Sequence, residues 1–475
     1  MLKGVEDLFW KPKKTLITPK GDLVVPELGE EQKKAFDSII QFFEHSENIA
    51  YSLTGSAGTG KSFMTSYIID WIEDHGYDYT LCAPTHKAAL VMKQYTKRNT
   101  NTLHRLLALS PNIAILDLDL RELQFVTSKV TDNIPYHGIV ICDEASMIND
   151  DLFDLLLEKV SDRGSQILFC SDSKQLLPVK QQHCSKVYDL PDSFELTKIY
   201  RQSHESALMP ILQELREHEI HNLVSSEGAE GSLIVEPDMK KFLEMAVSEV
   251  KTAVKTKNVL HTKITAYTNK RVELYNQAVR KFIWPSEGEY HVGEILTAYE
   301  NGECDGMEYW NSMDYIIVEK PKPAVRDLPH FYPIQGWELT LWDPYDEDTF
   351  TIFILSRENK VRDFEALSGT IERIRLQAID AKKRKMHNSY KYWRNYYELI
   401  NSFATPVDLF YDGRLIRKKS FDYGYACTTH KLQGSSLDNI FVDMKNIKKC
   451  SDDLVRRQLQ YVALSRTRKD AYVLQ

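Results

Sequence analysis

Along the chain, short apolar runs alternate with longer amphipathic stretches. The segments "IAYSLTG", "GIVICDE" and "QILFCSD" each carry a compact apolar core that stops at a glycine or an acidic residue. Runs of that length and punctuation predict strands buried on both faces, as in a parallel sheet. Between them, "FMTSYIIDWIEDHG" spaces its apolar residues as a helix does and ends at a glycine. Strand, loop and helix in repetition predict an α/β fold. Residues 285–415 read differently: "EYHVGEILTAY", "MDYIIVEK", "WELTLWD" and "TFTIFILS" are short strands separated by polar turns. They precede "IERIRLQAIDAKKRKMHNSYKYWRNYYELINSF", a helical stretch with Tyr and Trp set among Lys and Arg. Within residues 109–134 the alternation of "RELQFVTSKV" predicts a hairpin strand. Residues 1–27 contain "KPKK" and no clear period, and are read as an N-terminal extension without an assigned role.

A chain of 475 residues is too long for one core, and its length predicts roughly three domains. Hydrophobic residues at 43% and charged residues at 27% are ordinary for a globular protein. The sequence has no apolar run approaching a membrane span and no signal-peptide core at "MLKGVEDLFWKPKK", so a cytoplasmic location is expected, the host cytoplasm if the chain is phage-encoded. Seven scattered cysteines, none in a C-x-x-C pair, read as reduced core residues rather than a disulfide frame or zinc site. A net charge of −8 excludes a surface coated in positive potential, so any nucleic acid must be held in a local cleft.

Candidate chemistry starts at Gly55-Ser56-Ala57-Gly58-Thr59-Gly60-Lys61-Ser62, which matches G-x-x-x-x-G-K-[ST] between a predicted strand and a predicted helix. Small residues let successive backbone N–H groups converge on phosphate oxygens at a helix N-terminus. Lys61 would reach the β and γ phosphates, and the Ser62 hydroxyl would ligate Mg²⁺. Adjacent carboxylates directly after a buried strand are costly unless they face a cation or polar cleft, which is the setting of Asp143 and Glu144. Asp143 fits the Mg²⁺ position and Glu144 the activation of an attacking water. After the next strand, Asp172 and Gln175 stand in "SDSKQLLPV", where Gln175 can sense the γ-phosphate.

The order of "GSAGTGKS", "APTHKAA", "TLH", "DEAS", "SDSKQLLPV", "YRQS", "TTHKLQGSS" and "YVALSRTR" resembles that of superfamily 1 helicases, closely the 5′→3′ branch of Dda- and RecD-type enzymes. The resemblance covers most of residues 28–475 and is weak between about 285 and 415. Ser171 departs from the family, which usually has Gly before the Asp. The resemblance implies two tandem RecA-like P-loop motor domains, over 28–190 and over 191–284 with 416–475. It implies a β-hairpin pin at about 109–134, and a small β-barrel with a helical part at 285–415. It implies Gln32 as an adenine reader, and Arg201 and Arg466 as arginines reaching the γ-phosphate from the second domain. Transition-state charge on the phosphoryl oxygens favours a planar, permanently charged donor at such positions.

Further roles follow from the resemblance. Thr429, His430 and Lys431 contact the nucleic acid, while the Gly434 end of that loop approaches phosphate by backbone N–H. Thr85, His86 and His104 line the strand track in the first domain, and Asn269 in the second. Phe125 or a neighbour is the expected fork-stacking residue of the pin; the basic-aromatic helical stretch by itself suits a nucleic-acid face, with Trp393 its candidate grip on DNA. The implied activity is an ATP- and Mg²⁺-dependent DNA helicase. It would act as a monomer on single-stranded and forked DNA in phage-type replication or recombination, with a single-strand-binding or replisome protein as a further partner and no membrane. The alternative is a nucleic-acid-stimulated NTPase that remodels RNA or protein–DNA complexes without unwinding. A small-molecule kinase would leave "TTHKLQGSS" and "LSRTR" unexplained, and a non-catalytic ATP switch would not need Glu144.

Overall fold

The computed structural model describes residues 16–17, 23–24, 27–122, 124–127, 132–178, 181, 183–198, 206–285 and 288–475. Its first sheet has six parallel strands in the order Ser193–Leu196, Ala50–Gly55, Gln166–Ser171, Ile139–Cys142, Tyr79–Ala83, Thr100–Thr102. The central strands are buried on both faces, as their unbroken apolar runs predict. Helix α1 (Glu30–His45) turns Ala35, Ile39, Phe42 and Phe43 toward this sheet at helical spacing. Each fully buried Ile or Phe contributes about 1.5–3 kcal/mol. Helices α2 (Lys61–Asp74) and α3 (His86–Thr96) follow the strands Ala50–Gly55 and Tyr79–Ala83.

The second sheet has five parallel strands, Leu233–Glu236, Ala471–Leu474, Asn439–Asp443, Thr262–Ala266 and Ala426–Thr428. The third is antiparallel and is built on the strand Pro333–Asp343, which pairs with Lys322–Asp327, Asp314–Ile317 and Asp348–Leu355. The helical stretch after it is a hairpin of two helices, Val361–Lys383 and Ser389–Ile400, broken where Lys385 takes a left-handed φ of 53°.

Strand pairing corrects two expected boundaries. Ser193–Leu196 pairs with Ala50–Gly55, so the first domain runs past residue 190. Phe421–Tyr423 pairs with Ile295–Ala298, so the second parallel sheet resumes at Ala426 rather than at 416. Residues 1–27 contain a short antiparallel pair, Leu16–Ile17 with Leu23–Val24.

Between the first-domain strands, Leu109–Pro111 and Phe125–Thr127 form a two-stranded antiparallel ribbon. Arg375, fully buried, joins this insertion to the Val361–Lys383 helix. Its guanidinium donates to the carbonyls of Ile113 at 3.0 Å, Ile115 at 2.6 Å and Leu116 at 3.1 Å, and to both oxygens of Glu372. Satisfying the donors in this way offsets the cost of holding the guanidinium out of water.

Candidate nucleotide cleft and strand track

The phosphate-binding segment folds as its spacing requires. Gly58 and Gly60 adopt φ of 89° and 84°, and α2 begins at Lys61 directly after Gly60. A side chain at Gly60 would collide with the amide of Gln32. Gln32 is itself buried, accepts the Gly29 N–H at 3.0 Å and donates to the Thr59 carbonyl at 3.1 Å. This adenine-reader candidate therefore also braces the loop. Lys61 donates to the carbonyls of Gly55 and Ser56 in its own loop.

Asp143 is anchored through both oxygens: Oδ1 accepts the Glu144 N–H at 2.8 Å and Oδ2 accepts the Tyr95 hydroxyl at 2.9 Å. Ser62 lies near enough to the same phenol to oppose the rise in its pKa. A hydroxyl and a carboxylate brought together supply hard oxygen donors, which suit Mg²⁺ held jointly with substrate phosphates. Glu144 follows in the left-handed conformation, φ 51°, which turns its side chain toward the opposite domain. There Arg466 Nη1 lies 3.6 Å from Glu144 Oε1. Burial raises the Glu144 pKa, and the Asp143 and Asp172 charges add to the rise against the pull of Arg466 and Lys61. Arg466 caps the C-terminus of the Asp453–Ser465 helix and is only 8% exposed, yet its Nε and Nη2 have no hydrogen-bond partner among the described residues. A buried guanidinium with two unsatisfied donors is poised for an anion.

One residue missed from sequence joins the domains at the same place. The Tyr461 hydroxyl donates to Asp172 Oδ2 at 3.2 Å and accepts the Ala57 N–H of the phosphate loop at 3.1 Å. Its signal was its place one helical turn and a half before Arg466 in "YVALSRTR". Gln175 is buried beside Asp172, with its Oε1 unpartnered among the described residues. Arg201 lies outside the described residues.

A model of the AAA domain family matches residues 27–236, and a model of the UvrD-like helicase C-terminal domain matches residues 423–474. The ATP-dependent DNA helicase dda of Enterobacteria phage T4 is 25% identical over 473 residues, covering 94% of this chain and 99% of that protein. These similarities support the resemblance to superfamily 1 helicases. The ATP-dependent RecD2 DNA helicase of Deinococcus radiodurans is 33% identical over 187 residues, 39% of this chain and 23% of that protein. A crystal structure of Pif1 helicase from Candida albicans aligns over 95% of this chain and 94% of its own, at 17% identity and a TM-score of 0.48.

The remaining candidates lie at five places. Thr85 caps α3 and accepts the Ala88 N–H, and the ring of His86 stacks on Trp310 of the antiparallel module, centroids 4.0 Å apart. Burial lowers the His86 pKa to about 4, so that ring is neutral. His104 and Phe125 come together with ring centroids 4.6 Å apart, and Phe125 is 43% exposed rather than buried under the ribbon. In "TTHKLQGSS", Thr429 is buried with its hydroxyl bonded to Thr265 at 3.0 Å, so it ties two strands together, while His430 is exposed. Gly434 takes φ 71° and packs against Ala88 of the first domain. Asn269 is exposed at the start of the Asn269–Ile283 helix. Trp393 packs edge-on against Tyr396 in the seam of the helical hairpin, leaving Tyr390 and Tyr397 as the exposed rings of that helix.

Proposed function

We propose that the chain is an ATP-driven DNA helicase. ATP would bind between the two parallel-sheet domains, and its hydrolysis would drive 5′→3′ movement on single-stranded DNA. The observation that carries this reading is Arg466: a buried, half-satisfied guanidinium that reaches across the domain interface to within 3.6 Å of Glu144. Residues from both sides are then needed to complete one phosphoryl-transfer site, so the reaction is tied to domain closure.

In the proposed cycle the amides of the Gly55–Ser62 loop and Lys61 hold the β and γ phosphates. Glu144 orients and deprotonates the attacking water, and Gln175 reports on the γ-phosphate. Ser62 and Asp143 would hold Mg²⁺, which neutralises phosphate charge when bound. Arg466, with Arg201, stabilises charge on the transferred group. The identity of the base is a matter for Gln32. The ribbon Leu109–Pro111 with Phe125–Thr127 serves as the separation pin, Phe125 standing at the fork with His104 behind it. The antiparallel module, read as a small barrel, closes over the strand beside His86 and Lys431. The dda protein's near-complete overlap in length with this chain supports the same activity and a phage-type replication or recombination setting.

Strand displacement from 5′-tailed and 3′-tailed duplexes tests this reading. ATP-dependent release of the 5′-tailed substrate is expected. DNA-stimulated hydrolysis with no release from either substrate would instead identify a remodelling NTPase.

Lys431 gives the strand contact a pH dependence. Its ammonium lies 3.5 Å from the Tyr299 ring centroid and has no hydrogen-bond acceptor among the described residues. Burial lowers its pKa from 10.5 to about 7, with Lys419 and Lys263 adding to the fall and Cys427 and Asp314 opposing it. The group therefore loses its proton as pH rises through about 7, and with it the attraction for a phosphate. Single-strand affinity is expected to weaken across that window, and a Lys431→Met variant to remove most of the change. Fluorescence anisotropy of a labelled oligonucleotide at constant ionic strength reads the effect.

A further inference from the structure

Helix α3 spans the distance between the two sites. At its N-terminus stand Thr85 and His86, in contact with two other modules: His86 stacks on Trp310 at an interplanar angle of 19°, and Gly434 packs on Ala88 so closely that an added Cβ would sit 3.4 Å from the Ala88 Cβ. Nine residues after His86, about 14 Å along a helix, its last turn places Tyr95 against Asp143, with Ser62 nearby. Nothing in the helicase signature accounts for Tyr95, which lies outside every motif read from the sequence. Its ring packs on the first domain's core, but a phenylalanine would fill that space equally well. The hydroxyl has a separate use. Burial and the Asp143 charge keep it protonated, so toward the carboxylate it acts only as a donor.

We propose that Tyr95 is a positioning residue that sets Asp143, beside Ser62, for a divalent cation, and that α3 relays strand engagement at Thr85 and His86 to that carboxylate. The Asp143 carboxylate has one backbone anchor, the Glu144 N–H, and one side-chain anchor, Tyr95. Only the second stands on an element that also meets the second parallel-sheet domain and the antiparallel module. Movement of either against the first domain is therefore passed along a stiff helix to the orientation of a cation ligand. Partners that orient a metal ligand typically change metal affinity by 10–100-fold when removed. The inference rests on the helicase reading for its DNA arm and on geometry alone for its cation arm.

The test is Tyr95→Phe in the full chain, beside the unaltered protein, with thermal unfolding as the control for packing. The first readout is the Mg²⁺ concentration needed to tighten binding of a fluorescent ADP analogue, with no turnover involved. The second is the factor by which single-stranded DNA raises ATP turnover. The Mg²⁺ midpoint is expected to rise about 10-fold, and the stimulation factor to fall by a similar factor. The oligonucleotide affinity measured without nucleotide should stay as it was. An unchanged Mg²⁺ midpoint would overturn the proposal, as would a raised midpoint with full DNA stimulation, since the relay would then be absent. If the unaltered protein shows no DNA stimulation at all, the helicase reading fails instead, while the Mg²⁺ titration still decides the role of Tyr95 at the cation ligands.

Discussion

Replacing Arg466 with Ala is expected to lower DNA-stimulated ATP turnover by about 10³-fold or more, the range of a lost arginine finger. The size follows from the side chain's situation. It is buried, it comes from the second domain, and two of its donors have no partner among the described residues. Such donors gain most when charge spreads over the transferred phosphoryl oxygens, so the loss should fall on kcat with little change in nucleotide affinity. Lys at this position should recover only a small part, because an ammonium cannot present a planar fork to two oxygens. Single-turnover hydrolysis with saturating oligonucleotide, beside equilibrium binding of a fluorescent ATP analogue, separates the two quantities. An equal loss in both would show that Arg466 holds the ground state and is not a finger.

Glu144→Gln is expected to lower kcat by about 10²–10⁴-fold, the contribution of a positioned general base. Nucleotide and DNA binding should persist, so the variant should accumulate as a closed ATP complex. The pH profile carries a second signature. Burial holds the Glu144 pKa above its ordinary value, and Arg466 across the cleft pulls against that rise. A base must be ionised to accept a proton, so turnover should fall as pH drops through this raised pKa. That acid limb lies above the ordinary carboxylate range in the unaltered protein. It should vanish in Glu144→Gln and move further up in Arg466→Ala, where the opposing charge is gone. An acid limb unchanged in Arg466→Ala would show that the two side chains do not interact as placed.

How far the sequence reaches depends on how local each feature is. The phosphate loop, Asp143 with Glu144, and Asp172 with Gln175 each lie within a few residues at the end of an apolar run. Strand, turn and helix punctuation therefore fix their geometry almost without help from the rest of the chain. The two parallel sheets were legible for the same reason, since strands buried on both faces leave continuous apolar runs. Domain edges were not. Ser193–Leu196 and Phe421–Tyr423 were assigned to the wrong sheets because strand pairing joins segments far apart in sequence and leaves no local mark.

The same limit applies to the site. Sequence by itself determined which chemical groups stand at the ends of apolar runs and that the candidates for phosphoryl transfer come from two halves of the chain. Tertiary structure alone decided that Tyr461 links Asp172 to the phosphate loop, that Tyr95 holds Asp143, and that Arg375 locks the ribbon to a helix about 260 residues away. It also decided that Trp310 covers His86 and that Tyr299 caps Lys431. The physical reason is that a side chain's chemical type is written at its position. Its burial, partners and charge state are set by whatever the fold brings within a few ångströms.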